Sequence, residues 1–191
     1  MRNRRVGTHG AQRRWAAELE HFWFRRLNQS QWFATDPAVD EELRRRFGRE
    51  LASLWTRPAA EFLSDPHMAL AAVLLFDQLP RNLFRGAAAA FAFDPLARQI
   101  TRGALQRGWD KALRPEQRPF LAMPLMHSED IADQLWSVQF FSALGRPANF
   151  EFARDHYRMI ARFGRFPHRN AVLGRRSTAA EKRAVQAGFA W

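Results

Sequence analysis

From residue 15 onward, large apolar side chains return every three or four positions, the period of a helix with one face turned to a core. Trp15, Leu19, Phe22, Trp23 and Leu27 define such a face for a first helix. Val39, Leu43, Phe47, Leu51 and Leu54 define a second, and Leu96, Ile100 and Ala104 a later one. Asp-Pro pairs stand at Asp36-Pro37, Asp65-Pro66 and Asp94-Pro95. Asp can cap open backbone N–H groups and Pro suits the first helical position, so each pair predicts a helix start. The pairs recur every 29 residues, but the sequences between them do not align as a repeat. The run from Met68 to Phe76 is apolar all round and predicts a central helix, ended by Pro80. A short helix is expected from Pro115 to about Pro124. Ser128 reads as the cap of another, with Ile131, Leu135, Val138 and Phe141 on its inner face. Phe152, His156, Ile160 and Phe163 mark the next, stopped by Gly164, and Thr178 and Glu181 have capping-box spacing for a last one. No stretch combines alternating polarity with turn chemistry. The fold class is therefore all-α, built from antiparallel helix pairs, as a single domain over residues 15–191 behind a flexible basic extension, residues 1–14.

Composition narrows the chemistry. The 191 residues suffice to bury a core, and 17 Phe and 7 Trp supply it. The chain has no cysteine, which removes disulfides, thiolate metal sites and cysteine nucleophiles. No apolar run is long enough to span a membrane, and the first residues lack the apolar segment of a secretory signal, so a cytoplasmic location is expected. The net charge of +11 suggests nucleic acid until it is divided along the chain. Residues 1–14 carry five Arg and no acid, residues 146–176 eight Arg and two acids, and residues 15–145 are near neutral with 15 bases and 16 acids.

Three segments place charge among apolar neighbours, where a site would be sought. Asp77 follows the apolar run, so it sits against the core and needs a partner. Gln78, Arg81 and Asn82 follow it, and Arg81 is the candidate partner although Pro80 lies between. In the second segment His127 precedes Glu129, Asp133 and Gln134. That spacing matches no metal site, and acids in a first helical turn are ordinary, so neither a metal nor a cofactor is expected. The third segment alternates Arg162, Arg165, His168, Arg169 and Asn170 with Phe163 and Phe166 around Gly164 and Pro167, as anion sites do. In each segment a clasp between helices is the competing structural role.

These residues carry a resemblance. Phe22-Trp23-Phe24, Trp32-Phe33, the stretch from Leu75 to Gly86 around Asp77-Gln78 and Pro80-Arg81-Asn82, Pro124 to Asp130 with Asp133-Gln134, and His156 followed by Ile160 to Asn170 and Leu173-Gly174-Arg175 recur in this order. Over about residues 20–191 the chain resembles a bacterial family known as domain of unknown function 924, with Leu79 where that family usually has Phe. The resemblance implies a tetratricopeptide-like fold, helix pairs stacked in a right-handed superhelix, and it implies no activity. It also implies that the three polar segments are a shared feature, converging on one groove lined by Asp77, Arg81, Asn82, His127, Glu129, Asp133, Arg165, His168 and Arg169.

Three functions compete at this point. The first is a binding module whose Arg/His-rich groove takes an anionic small molecule or an acidic protein segment. The second is a hydrolase or isomerase using His168 or His127 as base, oriented by Asp77 or Glu129. The third is nucleic-acid binding through residues 1–14 and 146–176, with a steep dependence on salt.

Overall fold

Helix starts are set where side chains can satisfy the first open N–H groups. The computed structural model describes residues 6–189, with side chains from Arg14 onward. Helix α1 runs Val6–His21 and continues through a wide π-helical turn, Phe22–Arg26. The extension expected over residues 1–14 lies partly outside the described residues, and from Val6 its backbone is helical. Asp36 caps α2 (Pro37–Leu54) by accepting from Ala38 and Val39, and Asp65 caps α3 (Pro66–Val73) by accepting from Met68. All five apolar positions expected to face inward on α2 are buried.

Pro80 does not end the central helix. A π-helical turn, Leu74–Gln78, follows α3 and leads without a break into α4 (Leu79–Leu83), with Leu79 N–H bonding Leu74 O five residues back. A proline inside a regular α-helix clashes with the carbonyl four residues earlier and supplies no donor to it. The wider turn shifts the bonding register just ahead of Pro80, as π-bulges do at functional sites. It also turns Asp77 and Gln78 into the interior.

Helix α5 (Asp94–Gln106) starts one residue earlier than an Asp94 cap would require: Phe93 is the cap residue, and Asp94 makes no capping bond. Its carboxylate is engaged elsewhere, as described below. Helix α6 spans Arg118–Met126, later than expected, with Pro124 inside it rather than at its end. Asp130, not Ser128, caps α7 (Ile131–Ala143). Gly164, at φ 68°, stops α8 (Pro147–Phe163), and Thr178 and Glu181 form the expected capping box on α9 (Ala179–Gln186).

The apolar α3 lies at the centre and packs against α1, α5 and α6. The main core draws on helices from α1 to α8, with Trp23 edge-on to Phe120 and Phe62 to Phe76. Met159, Ile160, Phe166 and Ala184 form a smaller one under the C-terminal segment. Among the described residues all regular structure is helical, and no helix is long and apolar enough to cross a membrane. The inner face of α7 departs from expectation. Ile131 and Leu135 are 44% and 48% exposed, whereas Asp133, Gln134 and Ser137 are buried with Phe141. Two of these groups are held by neighbours: Gln134 Nε2 donates to Met126 O (2.6 Å) and Ser128 O (2.6 Å) and so closes the end of α6, while Arg102 donates to Asp133 (2.7 Å); Gln134 Oε1 and Ser137 Oγ have no hydrogen-bond partner among the described residues.

Candidate functional site

The wide turn before Pro80 sets the floor of a cleft. Asp77, fully buried, accepts from His127 Nδ1 at 2.8 and 3.0 Å and from Gln78 Nε2 at 2.5 Å, and lies 3.1 Å from Arg81 Nη1. Because the helix continues through Pro80, Asp77 and Arg81 do meet at four-residue spacing. Burial alone would raise the Asp77 pKa, but the charges of Arg81 and His127 and the bonds from His127 and Gln78 outweigh it and hold the carboxyl below its ordinary value. For His127 burial is the largest influence and pushes its pKa down, against the pull of Asp77. At neutral pH the pair is therefore a carboxylate and a neutral imidazole. An ionised carboxylate only accepts, so Nδ1 carries the proton and Nε2 the lone pair.

Arg81 also bonds Asp94 in a fork, at 2.9 and 3.0 Å, and the carbonyl of Asp77 at 2.6 Å. This is why Asp94 does not cap α5. On the next turn Asn82 and Arg85 both donate to Asp40, at 2.9 and 2.8 Å, tying α4 to α2. The opposite wall comes from α8 and the short 3-10 turn Pro167–Arg169 that follows Gly164. His156 bonds Phe152 O through Nδ1 (2.8 Å), and burial, reinforced by His127, pushes its pKa down to about 3. His168 is pushed down to about 4, by burial and then by Arg169.

Arg169 is unusual. Its guanidinium carbon lies over the rings of both Phe91 and Phe166, 4.5 Å from each centroid, and the residue is 6% exposed. Nε has no hydrogen-bond partner among the described residues, and Nη1 stands 3.5 Å from Asp94, long for a hydrogen bond. Burial and the neighbouring Arg81 lower its pKa to about 10, which still leaves it charged at pH 7. With Trp32, Phe33, Met123, Met126 and Phe152, these groups enclose a cleft of about 580 Å³. A second hollow of about 670 Å³ is lined by Leu51, Trp55, Leu83 and Phe93, and its charged residue Arg44 pairs with Glu41 at 2.6 Å. Polar groups converge on the first cleft and not on the second.

The residues singled out from sequence thus divide. Gln78, Arg81, Asn82, His127, His168 and Arg169 line the cleft, over Asp77. Glu129, Asp133, Gln134, Arg165 and Asn170 do not line it, because they join chain segments. Glu129 receives a fork from Arg175 (2.7 and 2.9 Å) and the N–H of Phe166 (2.8 Å), and Asp133 receives Arg102 and Ser128. Arg165 bonds Glu181 (2.6 Å), and Asn170 bonds Ser177 (3.1 Å). Three further residues at the cleft are not among the site residues expected from sequence: Asp94, read as a helix cap, Phe91, and His156, read as part of an apolar stripe and of the family resemblance. No group of three or more His, Cys, Asp or Glu that could hold a metal occurs among the described residues. In the basic segment 146–176, Arg154, Arg158, Arg165 and Arg175 are paired with Glu151, Asp155, Glu181 and Glu129.

The family model for DUF924, a bacterial protein of unknown function, matches residues 19–188. Among solved structures, a protein of unknown function, ATU0120, from Agrobacterium tumefaciens is 37% identical. Its superposition has a TM-score of 0.85 and covers 91% of this chain and 97% of that one. No curated protein matches.

Proposed function

This chain belongs to the bacterial DUF924 family, and we propose that this member binds a small anionic ligand in the cleft between α4, α6 and α8, with Arg169 as its anchor. The observation that carries the reading is the state of Arg169: buried, in contact with two aromatic rings, and without a partner for Nε among the described residues. A buried charge lacking full hydrogen bonding is costly, and a bound anion would satisfy it with charge-assisted bonds. The cleft volume of about 580 Å³ suits a small molecule. Right-handed stacking of the helix pairs and a cytoplasmic location belong to the same reading. The internal pairing of Arg154, Arg158, Arg165 and Arg175 weighs against nucleic acid as the partner.

The test is a thermal-shift screen with carboxylates, phosphates, acidic peptides and short RNA on the wild-type chain and on Arg169→Met. A ligand at 100 times its Kd stabilises by about 2.7 kcal/mol, a rise of roughly 5–10 °C for a domain of this size. The reading requires a shift that Arg169→Met abolishes. A shift unchanged in that variant would refute it.

The Asp77–His127 pair favours a second reading, in which the cleft is catalytic and His127 Nε2 accepts a proton from substrate or water. Asp77 would hold the imidazole in the required tautomer. Any turnover found with a cleft ligand should then fall at low pH, as His127 takes up a proton, and by at least about 100-fold in His127→Gln. Turnover indifferent to both would exclude it.

A further inference from the structure

Resting on the anion-binding reading, we infer that the ligand is a monocarboxylate with an apolar, preferably aromatic body, rather than a phosphorylated compound. The balance of charge around the cleft decides this. Arg81 is held by Asp94 and Asp77, and Arg85 by Asp40. These three carboxylates balance three guanidinium groups, counting Arg169, so the cleft carries no surplus positive charge, and Arg169 is the guanidinium among them not hydrogen-bonded to a carboxylate. The three histidines, His127, His156 and His168, all have pKa values pushed below their ordinary value by burial, so they add no positive charge at pH 7. A monoanion on Arg169 leaves one negative charge in excess, the smaller imbalance. A dianionic phosphate would bring a second charge close to Asp94, itself 3.5 Å from Arg169 Nη1, with no further cation lining the cleft among the described residues.

The shape of the Arg169 environment agrees. Phe91 and Phe166 each stand with their ring centroid 4.5 Å from the guanidinium carbon and so restrict the directions from which an anion can approach it. A planar two-oxygen carboxylate suits such a restricted approach and can take two parallel hydrogen bonds. The rest of the cleft offers rings and thioethers from Trp32, Phe33, Phe152, Met123 and Met126. Phe33 and Phe152, 67% and 52% exposed, form the outer part of this lining. A ligand with an apolar body would cover them, while a sugar phosphate would not.

The experiment is isothermal titration calorimetry of the full chain at pH 7 with four probes sharing one ring: 3-phenylpropionate, 3-phenylpropanamide, phenyl phosphate, and a short peptide ending in a free phenylalanine carboxylate. Inorganic phosphate is the fifth. The expected result is binding of 3-phenylpropionate, at least about tenfold weaker binding of the neutral amide and of phenyl phosphate, and no binding of inorganic phosphate. Arg169→Met, which keeps an apolar stem against the two rings, should weaken the carboxylate by about tenfold or more. Arg169→Lys, which keeps the charge but not the planar fork, should recover only part of it. Tighter binding of the peptide than of the small acid would identify a chain terminus as the source of the carboxylate. If either phosphate probe binds as well as the carboxylate, the inference falls while the anion site stands. If no probe binds, or if Arg169→Met binds them all unchanged, both fall.

Discussion

His156 makes the acid limb of the stability curve a test of the cleft. It is buried, its Nδ1 bonds Phe152 O, and its pKa is pushed down to about 3 by burial and by His127. In the unfolded chain the same imidazole titrates near 6.5. Between those values the unfolded state holds a proton that the folded state refuses, so stability rises with pH and is lost as pH falls below about 6.5. One such group changes stability by about 1.4 kcal/mol per pH unit. From pH 6.5 to 5.0 that amounts to roughly 2 kcal/mol, or about 4–8 °C in Tm for a domain of this size. The assay is thermal unfolding followed by circular dichroism at half-unit pH steps, on the wild-type chain and on His156→Gln. His127 and His168, also depressed, keep part of the slope in the variant, and the carboxylates contribute mainly below this window, so the difference between the two curves isolates His156. The variant should lie below the wild type at pH 7 and converge on it by about 2 kcal/mol toward pH 5. Parallel curves would mean that His156 titrates normally and that this wall of the cleft is wetter than the packing implies.

Asp77→Asn removes the charge that faces Arg81 and His127 in the interior, so it should lower Tm by roughly 6–12 °C, the equivalent of about 3 kcal/mol. A loss under about 2 °C would show the carboxylate to be dispensable. Leu135→Ser should change stability by no more than about 0.5 kcal/mol, whereas Phe141→Ala should cost about 3–5 kcal/mol, measured by urea unfolding. The reverse ranking would turn α7 around. Glu129→Gln should weaken the clasp on Arg175 and the Phe166 N–H by about 1–3 kcal/mol, and limited proteolysis should then cut between residues 170 and 178 faster than in the wild type. Unchanged cleavage would mean that the smaller C-terminal core holds that segment unaided.

Element type was legible because it depends on local causes. Apolar spacing along α2, the capping by Asp36 and Asp65, the capping box of α9 and the left-handed Gly164 each act within one or two turns of chain. The misreadings share one origin. Pro80 and Pro124 looked like breakers because a proline disrupts a regular helix. Around Pro80 the backbone shifts into a π-helical turn, and Pro124 lies in the fully buried middle of α6, where tertiary packing overrides the local preference. The polar inner face of α7 was hidden because Asp133 and Gln134 are acceptable inside only once Arg102 from α5 and the open carbonyls of α6 reach them.

The candidate site divides along the same line. The sequence by itself determined the helical class, the central apolar helix, and which short segments hold buried charge, since a carboxylate beside an apolar run must find a partner somewhere. Tertiary structure alone decided which partner. Asp77 meets His127 fifty residues away, Arg81 takes Asp94 rather than leaving it to cap a helix, and Arg169 is set against Phe91 and Phe166. Glu129, Asp133 and Arg165 find partners outside the cleft. Pairing of charges depends on distances of a few ångströms between segments that only the packed core brings together, and spacing along a chain carries no record of them.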